Sequence, residues 1–99
     1  MALSNLQKRN LRSQAHHLKP VVMIGQHGLK DSILTELDIA LDAHELVKVR
    51  VSAEDREDRS EMIARMIEAS GAELVQTIGH IAVLFRRNRK KPKIILPSG

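Results

Sequence analysis

The chain shows two periods of apolar positions, which together predict three helices and four strands. Three segments repeat aliphatic residues every three or four positions, as the buried side of a helix does. Four shorter segments are continuously apolar or alternate every second residue, as strands do. We place the helices at about Ser4–Leu18, Leu29–Ala43 and Arg56–Ser70, and the strands at about Val21–Ile24, Glu45–Val51, Glu73–Ile78 and Ile81–Arg86.

Signals at the ends of these segments support an α-β-α-β-α-β-β order. Ser4 and Gln7 have the spacing of a capping box, and Gly79-His80 suits a type II′ hairpin turn between the last two strands. The first strand is an unbroken apolar run, so we expect it to be covered on both faces. Two successive β-α-β units favour a parallel core, and the closing hairpin makes the sheet mixed. The predicted fold is α/β, with an α+β-like ending and a four-stranded mixed sheet.

Length and composition bound the organisation of the chain. Its 99 residues leave room for one domain, 1–99, with a core at about 3–86 and a basic tail at 87–99 that is exposed or adds a short edge strand at 93–96. The absence of cysteine fits a reducing compartment. The sequence contains neither a signal-peptide stretch nor an apolar run of membrane-spanning length. We therefore expect a cytoplasmic protein without a membrane partner.

The distribution of charge says more than the formal net charge of +4. Residues 1–30 carry five bases and no acid, residues 86–99 carry six bases and no acid, and residues 31–85 hold all twelve acids against five bases. Two cationic ends that together carry +11 favour a polyanion, because local positive potential drives phosphate binding. The alternative is a solvated surface with a flexible basic tail.

The segment Gly25-Gln26-His27-Gly28 joins the first strand to the second helix. Glycines there let backbone amides approach a ligand at the positive end of the helix, a geometry that accepts phosphate. His27 could donate a hydrogen bond, and Lys30 adds a fixed cation in the first turn of the helix. Two glycines three residues apart more often only turn the chain. The motif gains weight from its position in an acid-free segment.

Catalytic and metal-binding patterns do not occur in the sequence. The five histidines lack paired-ligand spacing and have no cysteine beside them, so we expect no metal and no other cofactor. No Walker loop, serine-nucleophile elbow or zinc-protease motif is present, which argues against an enzyme and a small-molecule substrate. Phe85 is the only aromatic residue, so successive bases have no stacking platform. Recognition of a nucleic acid by backbone and shape fits better.

Five motifs follow one another along the chain. They are Leu11–Pro20 (LRSQAHHLKP), Val21–Leu29 (VVMIGQHGL), His44–Val49 (HELVKV), Val75–His80 (VQTIGH) and Val83–Arg86 (VLFR). Together, over about residues 3–86, they resemble the CRM-domain proteins of the YhbY type, small bacterial RNA-binding proteins linked to assembly of the large ribosomal subunit. The resemblance implies a fold similar to the C-terminal domain of bacterial initiation factor three and RNA binding through a Gly-x-x-Gly loop. Gly25 and Gly28 match the loop glycines of the family.

We therefore expect a non-enzymatic, monomeric protein that binds ribosomal RNA in precursors of the large subunit. The expected RNA contacts are Gly25, Gln26, His27, Gly28 and Lys30 at the loop, Lys8, Arg9, Arg12, His16 and Lys19 near the first helix, and Arg86, Arg87, Arg89, Lys90 and Lys91 after the last strand. Replacing Gly28 by Asp is expected to weaken RNA binding with little change in thermal stability. Docking on a ribosomal or other basic protein through the acidic helices two and three remains an alternative, as does DNA binding.

Overall fold

The computed structural model describes residues 2–25 and 28–98, and the elements follow the predicted order. The helices are α1 (Asn5–Ala15), α2 (Asp31–His44) and α3 (Arg56–Ser70). The strands are β1 (Pro20–Ile24), β2 (Leu46–Val51), β3 (Glu73–Ile78) and β4 (Ile81–Phe85). In the described ranges, no helix is long and apolar enough to cross a membrane.

Capping interactions set the start of α1 and both ends of α3. Ser4 Oγ accepts from the Gln7 amide and Gln7 Oε1 accepts from the Ser4 amide, both at 3.1 Å, which confirms the predicted capping box of α1. Asp55 caps α3 by accepting from the amide of residue 58 at 2.8 Å. α3 ends at Gly71, whose φ of +73° suits glycine. α1 ends three residues earlier than predicted, because the chain turns at residues 16–17 ahead of Pro20, which disfavours helix in the residue before it.

The strands form one mixed sheet in the order β1-β2-β4-β3. β1 pairs with β2 in parallel, and β4 pairs antiparallel with both β2 and β3. The predicted mixed sheet is confirmed. The predicted parallel core is wrong, because β4 folds back into the space between β2 and β3 and leaves one parallel pair at an edge. Gly79 has the positive φ, +57°, that the first central position of a type II′ turn requires.

Each face of the sheet has its own apolar core. α2 and α3 cover one face, where Leu41 and Met66 are fully buried against the inward residues of the strands. α1 covers the other face at the end where β3 begins and β4 finishes, and there Leu11 packs with Val83 and Phe85. The sheet is therefore the middle of three layers, with two helices on one side and one on the other.

Because α1 packs against β2 and β3 at one end of its face, the rest of that face is open. Val21 and Met23 of β1 are 52% and 66% exposed, so the prediction that the first strand is covered on both faces is wrong. Lys48 and Arg50 of β2 and Ile78 of β3 lie on the same face by strand alternation and register. We call these five residues the sheet patch.

Candidate nucleic-acid interface

The glycine loop closes as a turn between β1 and α2, with the Gly28 amide donating to the Gly25 carbonyl at 3.1 Å. Gln26 and His27, the other two predicted contacts in the loop, lie outside the described residues. Gly28 has a φ of +80°, which strains any residue with a Cβ atom by about 1–2 kcal/mol. The expectation that an aspartate at position 28 leaves stability unchanged is therefore wrong. At Gly25, an added Cβ atom would have no neighbouring atom within 4 Å, and the φ of this residue is not positive.

The amino-terminal end of α2 follows this turn. Lys30 occupies the N-cap position, and no side chain of the described residues caps the helix there. Because the first amides of a helix lack carbonyl partners within it, they remain available to an anion. Lys30 is exposed and adds a positive charge at the same end. Asp31 in the first turn opposes this charge in part.

The five predicted contacts near α1 all have solvent-accessible side chains. They are Lys8, Arg9, Arg12, His16 and Lys19. Within the described part of the chain, none of these side chains forms an ion pair or a hydrogen bond. The positive charges of the two lysines and the two arginines are therefore not neutralised by the described part of the protein.

Residues 95–97 lie along one flank of α1, where Gln7 and Gln14 contact their carbonyls. Gln7 Nε2 donates to the Pro97 carbonyl at 3.0 Å. The helical repeat places Lys8 and Arg12 on the opposite flank. The flank that carries Lys8 and Arg12 is therefore clear of the contacts to residues 95–97.

Arg86, another predicted contact, is engaged inside the protein. Its Nη1 lies 2.6 Å from Asp38 Oδ1 and donates to the Ser70 carbonyl at 2.9 Å. Its Nη2 lies 2.9 Å from Asp42 Oδ1. Arg86 thus joins the end of β4 to α2 and to the last residue of α3, and its charge is largely neutralised by two acids. Because these contacts occupy its guanidinium group, Arg86 stabilises the fold and is less available to a ligand than an unpaired arginine.

A buried carboxylate, Glu45, holds the segment after β4. Glu45 is 0% exposed, and among the described residues it is the only charged one that is buried. Its two oxygens accept from the amides of Asn88, Lys93 and Ile94 at 2.6–2.7 Å and from Arg87 Nη1 at 3.2 Å. Arg87, also a predicted contact, is therefore paired internally, as Arg86 is. Every bond to this carboxylate is charge-assisted, which makes it a strong anchor.

The basic tail is consequently an anchored loop. Arg89, Lys90 and Lys91 are exposed between two segments bound to the same carboxylate, so the flexible tail is not observed. The edge strand considered at 93–96 does not form, because amides in that segment bind Glu45 instead of a neighbouring strand. Asn88 Nδ2 donates to the Asp42 carbonyl at 2.9 Å, which places the loop at the carboxyl end of α2. The glycine loop is at the other end, about 17 Å along the helix axis.

The anchor is expected to release in acid. Burial alone raises the pKa of the Glu45 carboxyl, but the amides of Asn88, Ile94 and Lys93 and the Arg87 guanidinium outweigh it and lower the pKa below its ordinary value. Because the pKa of Glu45 is lower in the folded state, the ionised carboxylate fully stabilises the anchored form at a pH above its unfolded pKa of about 4.3. This stabilisation is lost as pH falls through the lower folded pKa.

Amide chemical shifts of Lys93 and Ile94 between pH 6 and pH 3 measure this release. Both should move with one apparent pKa below the ordinary value of a glutamate, while the amide of Val83 in β4 stays unchanged. If the shifts of Lys93 and Ile94 titrate above the ordinary value of a glutamate, the carboxylate is not the anchor.

The sequence-based list of contacts omitted the sheet patch. Lys48 and Arg50 were visible as outward positions in the alternation of β2, but an alternating strand does not show whether a helix covers its polar face. The structure leaves both side chains without an ion pair in the described chain, between α1 and the glycine loop. They extend the cationic surface across the gap between those two elements.

Other titratable groups are explained by local structure. In the described ranges, no three His, Cys, Asp or Glu residues are arranged to hold a metal ion. At the start of α3, repulsion from Asp55 is the main cause that raises the pKa of Asp58, and both acids are exposed at a helix end that favours negative charge. At the hairpin, His80 Nδ1 lies 3.1 Å from Arg59 Nη1. Cations without an ion pair to a described residue therefore lie on α1, the sheet patch and the two loops, and also on α3, where Arg56 and Arg65 stand among the acids of that helix.

Comparisons with known proteins show a family and several relatives to which this chain is similar. The model of the CRS1/YhbY (CRM) domain family matches residues 3–86. A Haemophilus influenzae protein named "RNA-binding protein" is 47% identical over 95 residues, 96% of this chain and 95% of the relative. A Bacillus subtilis protein named "Probable RNA-binding protein YqeI" is 39% identical over 96% of this chain and 99% of its own. The solution structure of the hypothetical protein SAV1595 from Staphylococcus aureus has a TM-score of 0.83 at 36% identity, covering 97% of this chain and all of that one.

Proposed function

This chain belongs to the CRS1/YhbY (CRM) domain family, and from that premise we propose that it binds RNA through the face that carries the glycine loop. The loop and the start of α2 contact phosphates with backbone amides and Lys30. The open flank of α1 and the cations of the sheet patch contact the same RNA further along. The anchored loop at 89–91 adds positive charge at the far end of α2, within reach of an extended RNA. The close relatives named as RNA-binding proteins support this proposal.

The observation that carries the proposal is the grouping of cations that the protein does not neutralise. Among the described residues, these cations lie on or just after α1, on the open half of the sheet face that α1 covers and at the start of α2, and they have no ion pair. They are Lys8, Arg9, Arg12, Lys19, Lys30, Lys48 and Arg50. By contrast, Arg86 and Arg87, which directly follow β4, are paired with acids. Unpaired cations on one surface are what a polyanion requires, since phosphate contacts supply most of the affinity.

We further propose that the RNA is ribosomal RNA in cytoplasmic precursors of the large subunit, bound by a monomer without enzymatic activity or cofactor. With Phe85 as the only aromatic residue, and that residue buried in the core, contacts to the backbone of folded RNA suit this surface better than stacking along a single strand. Folded ribosomal RNA offers such a backbone. The specific class of RNA rests on the family resemblance.

Ultraviolet crosslinking in growing cells, followed by sequencing of the attached RNA, tests this function. We expect crosslinks to be concentrated on large-subunit ribosomal RNA and enriched in particles that still contain unprocessed ends. Crosslinks spread over messenger RNA in proportion to abundance would contradict the ribosomal assignment. In parallel, retention of protein partners after nuclease treatment would favour docking on a basic protein, and equal competition by duplex DNA would favour DNA.

The docking alternative has less support from the structure than from the sequence. It uses the acidic surfaces of α2 and α3, but Arg86 already neutralises Asp38 and Asp42 of α2. Asp55, just before α3, caps the start of that helix. Acid density on that side is therefore partly structural.

The loop itself is best tested at Gly25. Gly25→Asp is expected to weaken RNA binding about tenfold, since a carboxylate would stand where a phosphate approaches and a loss of about 1.4 kcal/mol corresponds to that factor. Gly25 has open space and no positive φ, so the melting temperature should not fall. Gly25→Asn is the matched neutral control and should retain most of the affinity. Equal binding by Gly25→Asp and the unmodified protein, measured by fluorescence anisotropy, would mean that the loop only turns the chain.

A further inference from the structure

An open cavity of about 440 Å³ lies beside the sheet patch, where the chain passes from α1 into β1. Its apolar lining includes Leu18, Val21 and Ile94, and its polar lining includes Lys19, His44 and Lys48. A site of this size and mixed lining is in the range that takes a small ligand or a single group of a larger one. Ile94 belongs to the segment that Glu45 anchors, so the anchor completes one wall.

The charges at the cavity favour an anionic occupant. Among the described residues, no acidic residue lines it. Lys19 and Lys48 both border it, and neither has an ion pair with any described residue. The aliphatic residues of the lining match the base of a nucleotide, which is apolar with polar edges. The lysines of the lining match its phosphate.

β1 connects this cavity to the glycine loop. The strand begins at Pro20 beside the cavity and ends at Ile24, one residue before Gly25, a distance of about 13 Å. Met23 and Arg50 lie between them on the same face. A single RNA segment bound at the loop can therefore continue along β1 to the cavity without leaving the surface.

We infer that the cavity receives one unpaired nucleotide of the RNA whose backbone lies against the glycine loop. The inference rests on the proposed function and adds to it a preference for RNA that has an unpaired nucleotide beside a helical stem. The base packs on Leu18 and Val21, and Lys19 and Lys48 contact its flanking phosphates. One such site does not need the row of aromatic residues on which successive bases stack.

Two RNAs and three variants test the inference. The RNAs are a hairpin with an unpaired loop and a fully paired duplex of the same length. Leu18→Asn, at a partly exposed position of the lining, should weaken hairpin binding about fivefold and leave duplex binding within about twofold, because it removes apolar contact without changing charge. Melting curves show whether the variant remains folded.

Tryptophan fluorescence reports on the cavity directly, because the chain has no tryptophan of its own. In Val21→Trp, the hairpin should quench the fluorescence and the duplex should not. Ile39→Trp, at a position of α2 that is 64% exposed, is the matched control and should respond to neither RNA. If the new indole fills the cavity instead, hairpin affinity should fall selectively, which also supports the inference.

Three results would overturn it. Equal loss of hairpin and duplex binding in Leu18→Asn would mean that this face of the sheet contacts only the RNA backbone. No change in hairpin affinity in Leu18→Asn or Val21→Trp, together with unquenched fluorescence, would mean that the cavity stays empty. A shift in oligomeric state in Leu18→Asn by sedimentation, with hairpin preference retained, would mean that a second copy covers it. Failure of the unmodified protein to bind either RNA would instead contradict the proposed function.

Discussion

Raising the salt concentration from 50 to 200 mM is expected to weaken RNA binding by roughly a few hundredfold. The expected surface has enough unpaired cations to neutralise about five phosphates, which gives a slope near −4 in a plot of log affinity against log salt. The effect is large because each neutralised phosphate releases bound counterions, and added salt opposes that release. Titrations by fluorescence anisotropy at four or five salt concentrations measure the slope.

Single charge removals locate the source of this slope. Arg12→Ala, on the open flank of α1, should reduce the slope by about one. Arg65→Ala removes an exposed arginine from α3, on the other side of the sheet, and should leave the slope unchanged. A salt-insensitive affinity, or equal effects of the two variants, would contradict an RNA surface formed by α1 and the sheet patch.

Replacing Glu45 by Ala is expected to lower the free energy of unfolding by about 3 kcal/mol. The variant leaves the amides of Asn88, Lys93 and Ile94 without their acceptor and removes the partner of Arg87. The value lies at the low end for a broken buried pair, since the Arg87 side chain is 25% exposed and can turn to water. Urea denaturation at pH 7 measures the change.

Two further variants separate the anchor from general effects of a lost acid. Glu36→Ala removes an exposed glutamate from α2 and should change stability by no more than about 0.5 kcal/mol. Glu45→Gln keeps an acceptor oxygen but not the charge, so its stability should fall between those of Glu45→Ala and the unmodified protein. Faster amide exchange at residues 93 and 94 in Glu45→Ala, with β4 still protected, would show that the segment detaches. Unchanged exchange there would contradict the anchor.

Local patterns predicted the elements well and their assembly less well. The capping box at Ser4 and the glycine that ends α3 act within one turn, so they are visible in the sequence. The position of β4 between β2 and β3 is not, because the β-α-β pattern is the same whether or not a later strand inserts. The exposure of Met23 depends on how far α1 reaches across the sheet, and an apolar run cannot show that distance.

The sequence shows which residues of the candidate site carry charge, but not which of those charges are paired within the protein. The acid-free stretches identified the cations of α1, which the structure leaves unpaired. Arg86 and Arg87 belong to an equally basic stretch, yet their acid partners lie more than forty residues away in the sequence. The burial of Glu45 had no local signal either, since an acid between a helix and a strand is usually solvated. Charge counts therefore indicate where positive residues are dense, and only contacts show which of them are free.

The two glycines of the loop would respond differently to selection. In a library selected for folding alone, position 28 should keep glycine, because its backbone conformation excludes most side chains. Position 25 should drift, since neither its backbone nor its surroundings resist a side chain. Any pressure that holds glycine at position 25 must then come from a ligand that approaches closely. Sequencing such a library before and after selection for RNA binding would separate the requirements of the fold from those of the partner at single-residue resolution.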